Sequence, residues 1–163
     1  MAKRGVRLVY GGGSIGIMGL LADAVIRAGG SVYGVIPGHL HETEIAHGGL
    51  EQLIVVDSMH ARKQRMFELS DAFVALPGGI GTLDETVEIV TWRQLGLHDK
   101  PIFLLDDGGY WQPFLALIDH FIAEDFSRPA IRQLYQVVAD VDHLMAALER
   151  APPPGRRAQT ERL

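Results

Sequence analysis

Cysteine is absent from the 163-residue chain. Without it there can be no disulfide, no thiolate nucleophile and no cysteine-based zinc site. The absence fits a reducing compartment, and we expect a cytoplasmic protein. Long apolar runs are also lacking: no stretch approaches the roughly 20 apolar residues of a membrane span, and the opening MAKRGVRLVY does not resemble a signal peptide.

An excess of positive charge is missing as well. The net charge is −5, which argues against a general nucleic-acid-binding protein. Apolar residues make up 47% and charged residues 21%, as in ordinary globular proteins. We therefore predict one domain over residues 1–150. The remaining APPPGRRAQTERL, residues 151–163, has no apolar period and is expected to be disordered.

Short apolar runs alternate with segments of helical period along the chain. The predicted strands are Val6–Tyr10, Ser31–Ile36, Leu53–Val56, Ala72–Leu76, Ile102–Leu105 and Gln136–Ala139. The predicted helices are Ile17–Ala28, Ser58–Ser70, Leu83–Leu95, Trp111–Glu124 and Val141–Arg150. Continuous apolar strands between helices predict an α/β fold, a doubly wound parallel sheet with helices on both faces.

Two glycine-rich loops, GGGSIG and PGGIGT, follow predicted strands directly. Ligands of such sheets bind beyond the carboxyl ends of the strands, so both loops are expected at that edge. The first loop fits three patterns. Gly11, Gly13 and Gly16 match the dinucleotide fingerprint, whereas Gly12, Ser14 and Gly16 match the turn that carries a nucleophilic serine. The third possibility is a phosphate-binding loop at a helix N-terminus.

Two of these interpretations lack supporting residues. A dinucleotide site needs an acidic residue at the end of the second strand, which instead ends in Pro37-Gly38-His39. A nucleophilic serine needs an oxyanion hole from an earlier loop of the sheet, and only one strand precedes Ser14. The phosphate interpretation requires only backbone amides that converge on an anion at a helix N-terminus, and we favour it, with Gly12, Gly13 and Ser14 contacting the nucleotide.

The second loop is followed by two carboxylates, Asp84 and Glu85. One interpretation is a capping box formed by Thr82 and Glu85 at a helix start. The other is catalytic, because a carboxylate beside a phosphate pocket can stabilise an oxocarbenium-like sugar or activate water. The segment DSMHARKQRM supplies Arg62 and Lys63, and Arg62 can fork onto phosphate or ribose oxygens. Arg62 and Lys63 are equally compatible with a solvated helix face.

Together these segments resemble the Lonely Guy (LOG) family. The resemblance is carried by VYGGGSIGIMG, SVYGVIP, EIAH, DSMHARK, DAFVALPGGIGTLDE and TWRQLGLHDKP, and runs from about Arg7 to Arg150. Members are cytokinin riboside 5'-monophosphate phosphoribohydrolases, often labelled lysine decarboxylases. The resemblance implies a Rossmann-like fold, usually dimeric. The implied reaction cleaves an adenosine-type 5'-monophosphate to free base and ribose 5-phosphate without a cofactor.

The resemblance also implies roles for individual residues. Arg62 and Glu85 match the catalytic pair. The positions that match phosphate and substrate contacts are Gly78, Gly79, Gly81, Thr82, Glu44, Lys63 and Thr91. The chain departs from the family pattern at its beginning, because the first strand, a Gly-Ser-Ser loop and a helix are missing before Arg7. Either the sequence reflects a late start or a truncation, or the protein manages without this unit and has a weakened or altered site.

Three other possibilities follow from the residues. A pyridoxal phosphate decarboxylase needs a lysine, and Lys3, Lys63 and Lys100 are poorly suited. A metal site at the histidine-rich loop GHLHETEIAH is disfavoured because its side chains lack helical ligand spacing, so no metal is expected. The main rival is a nucleotide-binding or carrier protein that does not hydrolyse its ligand, which the two glycine loops would serve equally well.

Overall fold

The computed structural model describes residues 1–41 and 49–151. The chain forms two compact units, Met1–Ser70 and Asp71–Leu163. The strands are β1 (Leu8–Tyr10), β2 (Val32–Pro37), β3 (Gln52–Val56), β4 (Phe73–Ala75), β5 (Ile102–Leu105) and β6 (Gln136–Val138). The α-helices are α1 (Gly16–Arg27), α2 (Gly38–His41), α3 (Met59–Leu69), α4 (Ile80–Gln94), α5 (Gln112–Ala123) and α6 (Val141–Arg150).

The first unit contains a parallel three-stranded sheet in the order β1-β2-β3. Leu8 pairs with Val32 and Tyr10 with Gly34, so β1 and β2 begin at the same level and β2 runs three residues further, to Pro37. Ala22 and Val25 of α1 pack on these strands in a small apolar core. The helix ends where Gly29 takes a left-handed φ of 73° and lets the chain turn into β2.

The second unit contains a parallel sheet in the order β4-β5-β6. All four residues of β5 are buried, and they alternate between two apolar clusters. Ile102 and Leu104 pack in a cluster with Trp111, whereas Phe103 and Leu105 pack against α6. Helices therefore cover both faces of this sheet, which explains why β5 has no polar positions.

The predicted α/β class with parallel strands and flanking helices is confirmed. All six predicted strands are present, with bounds that differ by no more than two residues at either end. The predicted start of α4 at Leu83 is wrong, because that helix begins three residues earlier, inside the glycine loop. The structure also contains elements that were not predicted, the short helix α2 and the 3-10 turns Ala2–Arg4, Asp107–Gly109 and Pro129–Gln133.

No helix in the described part of the chain is long and apolar enough to cross a membrane. The predicted disordered tail, residues 151–163, lies outside the described residues apart from Ala151.

Candidate active site

The first glycine loop lies at the carboxyl end of β1 and is packed rather than open. Gly11, Gly12 and Gly13 are all buried. Gly12 has a left-handed φ of 78°, and a methyl group there would lie 3.3 Å from both Ile36 of β2 and Leu53 of β3. Glycine at this position thus allows the loop to lie directly on the neighbouring strands.

Arg62 lies beside this loop. The helix that carries it, α3, is capped by Ser58, whose hydroxyl accepts a hydrogen bond of 3.1 Å from the Ala61 amide. The Arg62 side chain is buried, and its guanidinium lies against the Cα of Gly11. The structure therefore brings together two features that the sequence singled out separately, the first glycine loop and the arginine of DSMHARK.

Lys63 is half-buried and follows Arg62 on α3, so it projects about 100° around the helix from it. Glu44 lies outside the described residues, as do His47 and Glu42 of the same loop. Ser14 is half-buried just before α1, and its carbonyl lies close to Gly19 of that helix.

Tyr10 precedes the first loop and is buried to 6% exposure. Burial raises the pKa of its hydroxyl to about 12, and the nearby Asp23 carboxylate adds to the shift. The hydroxyl is therefore neutral at physiological pH and unsuited to act as a base.

The second glycine loop is open where the first is filled. Gly79 is the N-cap of α4, with no side chain capping the helix, and both Gly79 and Gly81 are exposed. A methyl group at either position would meet no heavy atom within 4 Å. The free amides of the first turn and the helix dipole make this end of α4 suited to a phosphate.

The capping-box interpretation of Thr82 and Glu85 is wrong. Because the N-cap is Gly79, Thr82 occupies the third helical position and Glu85 the sixth. Thr82 instead folds back over Gly78, where a methyl group would lie 2.9 Å from its Cβ. Glu85 is half-buried one turn further along the same face of α4, so helix capping does not account for it.

Thr91 lies elsewhere on the same helix. It is exposed and nine residues beyond Thr82, which corresponds to about 13.5 Å of rise and half a turn of rotation. The structure therefore does not bring Thr91 together with Thr82 and Glu85 on one face of α4.

Sequence reasoning missed Tyr110. Its hydroxyl donates a hydrogen bond to the carbonyl of Gly78, which ties the second glycine loop to the segment after β5. Asp106 orders that segment by accepting hydrogen bonds of 2.6 Å from the Trp111 amide and the Gln112 side chain. The sequence signal was available, because DDGGYW directly follows a buried strand and so belongs to the ligand-binding edge.

Among residues 1–41 and 49–151, no group of three or more histidine, aspartate or glutamate side chains is placed to hold a metal ion. The histidine-rich loop that could have formed one lies largely outside these ranges.

Comparison with known proteins places these features in a context. Residues 18–148 match the model of a family described as possible lysine decarboxylase. A cytokinin riboside 5'-monophosphate phosphoribohydrolase of Rhodococcoides fascians is 48% identical over 153 residues, which cover 93% of this chain and 77% of the relative. A probable enzyme of the same name from Oryza sativa subsp. japonica is 46% identical over 150 residues, 92% of the chain and 67% of the relative. A cytokinin riboside 5'-monophosphate phosphoribohydrolase of Arabidopsis thaliana is 44% identical over 153 residues, which cover 94% of this chain and 67% of the relative.

Proposed function

Since the chain belongs to the Lonely Guy family, we propose that it is a phosphoribohydrolase acting on adenosine-type, cytokinin riboside 5'-monophosphates. In this reaction water attacks C1′ of the ribose while the bond from C1′ to the base nitrogen breaks. The oxygen of water stays on the sugar as the C1′ hydroxyl with one of its protons, and the other proton is taken up by the nitrogen of the leaving base. The products are the free base and ribose 5-phosphate, and no cofactor is needed.

The observation that carries the proposal is the position of Glu85 relative to the open end of α4. A phosphate bound by the amides around Gly79 and Gly81 would lie one to two turns from the Glu85 carboxylate. Phosphate binding would then position the ribose, and the carboxylate would stabilise positive charge at C1′ or activate water. Glu85 is half-buried, which strengthens its interaction with a developing cation.

Arg62 is the second catalytic residue in the proposal. Its guanidinium is buried and held against Gly11, so few rotamers remain for it to lose when it binds phosphate or ribose oxygens. Lys63, Glu44 and Thr91 are included as further substrate contacts because of the family resemblance. Gly12, Gly13 and Ser14 are included because the first glycine loop is interpreted as a phosphate-binding loop.

We also propose that the protein is a homodimer and that it is located in the cytoplasm. The second unit leaves large apolar side chains exposed at Leu95, Leu97 and Phe126, which a second copy could cover. Light scattering on the purified protein would give twice the 17.9 kDa chain mass if this is so.

The test is chromatography of the products after incubation with AMP and with isopentenyladenosine monophosphate. We expect free base from the wild type and none from Glu85→Gln, with Asp84→Asn as the matched control because it removes an exposed neighbouring carboxylate. The ratio of the two rates gives the base preference.

A nucleotide carrier is the alternative that this experiment also addresses. Calorimetric titration of AMP into Glu85→Gln would show binding in either case. A wild type that binds AMP as tightly as the variant, yet releases no adenine, would establish the carrier and refute the enzyme.

A further inference from the structure

We infer that the first glycine loop, residues 11–16, holds the Arg62 guanidinium in position by direct contact, and that Gly11 is a positioning residue for the reaction. We call this contact surface the Arg62 seat. The inference rests on the proposed function in that Arg62 is taken to act on the substrate. It assigns to Gly11 a role that differs from phosphate binding, and it predicts that the absence of a side chain there matters for catalysis.

The contact between Gly11 and Arg62 leaves no room for even a methyl group. A Cβ built on Gly11 would overlap the Nη2 atom of Arg62, and it would lie 2.8 Å from Cζ and 3.3 Å from Nε. Three guanidinium atoms thus face the same Cα, so the planar head group lies against the backbone at the end of β1. Only glycine permits this approach.

The other side of the guanidinium is bounded by its own helix. Nη1 lies 4.0 Å from the sulfur of Met59, one turn earlier on α3. The first turn of α3 is itself fixed, because the Arg62 amide donates to the Ser58 carbonyl at 2.9 Å and Ser58 caps the helix. Arg62 is therefore held between the start of α3 and the end of β1.

The loop that forms the seat is itself anchored to the sheet. A methyl group on Gly34 of β2 would lie 2.9 Å from the Cα of Gly12, so the two backbones touch. Gly12 also contacts Ile36 and Leu53 closely. A side chain added at Gly11 would consequently displace the guanidinium rather than the loop, because the end of a long side chain moves at lower cost than packed backbone.

The experiment compares Gly11→Ala with Gly38→Ala. A methyl group at Gly38 makes only an ordinary contact of 3.7 Å with Val55, and this glycine also follows a strand of the first sheet. We expect Gly11→Ala to lower kcat by about 100-fold, the usual effect of misplacing a catalytic group by about 1 Å, with a smaller change in KM. Gly38→Ala should keep the wild-type kcat. Equal kcat values for Gly11→Ala and the wild type would overturn the inference.

A readout independent of activity separates this inference from the proposed function. The Nε–H resonance of Arg62, assigned by its loss in Arg62→Lys, should shift in Gly11→Ala and not in Gly38→Ala. If the wild type releases no base but this shift occurs, the proposed function fails and the seat stands. An unshifted resonance in an active enzyme would refute the seat alone.

Gly11→Ala could also prevent folding, and a second variant covers that outcome. In Arg62→Ala the colliding group is absent, so adding Gly11→Ala should leave the melting temperature within about 2 °C of that of Arg62→Ala alone. A double variant that fails to fold where Arg62→Ala folds would show that the methyl group collides with something else, and the seat would be refuted.

Discussion

Tyr110 shows how a single side chain can hold a binding loop in place. Its hydroxyl donates a hydrogen bond to the carbonyl of Gly78. Tyr110 lies in a segment that Asp106 orders by accepting a hydrogen bond from the Trp111 amide. The hydrogen bond fixes the backbone at the point where the chain turns from β4 into α4. The backbone of the second glycine loop is thus held by a residue from the segment that follows β5, the strand paired with β4.

Replacing Tyr110 by phenylalanine tests this dependence. A neutral hydrogen bond contributes about 0.5–1.5 kcal/mol, so we expect kcat/KM to fall by about 3–10-fold. The loss should appear mainly in KM, because the proposed role of the loop is to bind the phosphate rather than the reacting atoms. Steady-state kinetics beside Tyr33→Phe, a half-buried tyrosine of the first unit, would check it. A fall confined to kcat would contradict this role.

At the scale of elements, the two glycine loops look alike in sequence and differ in structure. The first is buried and occupied by Arg62, whereas the second is exposed and leaves the start of α4 open. Glycine spacing predicted that both would follow strands, and this is confirmed. It did not distinguish a filled loop from an open one, because the group that fills the first comes from a helix about 50 residues later.

The start of α4 was mispredicted for a related reason. Because glycine is a poor helix former, the sequence predicts a loop that extends through PGGIGT to Thr82. In the structure Gly81 lies within the first turn, where Gly79 caps the helix without a side chain. The helical period predicted the end of α4 to within one residue, but the position of its first residue depends on backbone geometry that glycine leaves open.

Gly79→Asp should separate stability from binding at this helix start. Aspartate is a favourable N-cap that complements the helix dipole, and the φ of −84° suits it, so the melting temperature should not fall. A negative charge at the proposed phosphate site should nevertheless raise KM by at least about 10-fold, since each 1.4 kcal/mol of repulsion is one factor of ten.

Gly79→Asn is the matched control, because asparagine also caps helices and carries no charge. The difference in KM between the two variants isolates the electrostatic part. Equal KM values for Gly79→Asp and Gly79→Asn would show that no anion binds at the start of α4.

At the scale of the whole molecule, stability is linked to pH through His98. This side chain is 7% exposed, lies edge-on to Phe73 and has its Nε2 atom 2.9 Å from the carbonyl oxygen of Ile89. Burial lowers the pKa of His98 from its ordinary 6.5, aided by Arg93 and Lys100 and opposed by the Ile89 contact and Asp99. The folded state thus binds this proton less readily than the unfolded state does.

The sign of the effect follows from linkage. The contribution of neutral His98 to the free energy of unfolding is fully present above about pH 6.5. It is lost as the pH falls toward the lowered pKa, because the unfolded chain takes up the proton first. The melting temperature should fall by about 2–4 °C for each kcal/mol lost. His98→Gln should reduce this dependence, whereas His120→Gln, an exposed histidine of α5, should keep it. An identical pH profile for His98→Gln and the wild type would contradict the assignment.

The order of strands and helices along the whole chain was predictable because apolar runs and helical periods are local. The pairing of strands was not, and among the described residues it runs β1-β2-β3 in the first unit and β4-β5-β6 in the second. Arg62 and Glu85 were singled out from the family resemblance and from the chemistry of an arginine and a carboxylate near glycine loops. Tyr110 was missed, although its segment DDGGYW follows a buried strand, because the sequence does not indicate which residue of that segment donates to the Gly78 carbonyl.

The central claim is hydrolysis of the N-glycosidic bond with Glu85 as a catalytic carboxylate. Its most direct test is the rate of base release from isopentenyladenosine monophosphate by the wild type, Glu85→Gln and Asp84→Asn under single-turnover conditions. We predict a rate about 100–10,000-fold lower for Glu85→Gln and near the wild type for Asp84→Asn. Base release by Glu85→Gln at the wild-type rate would contradict the account.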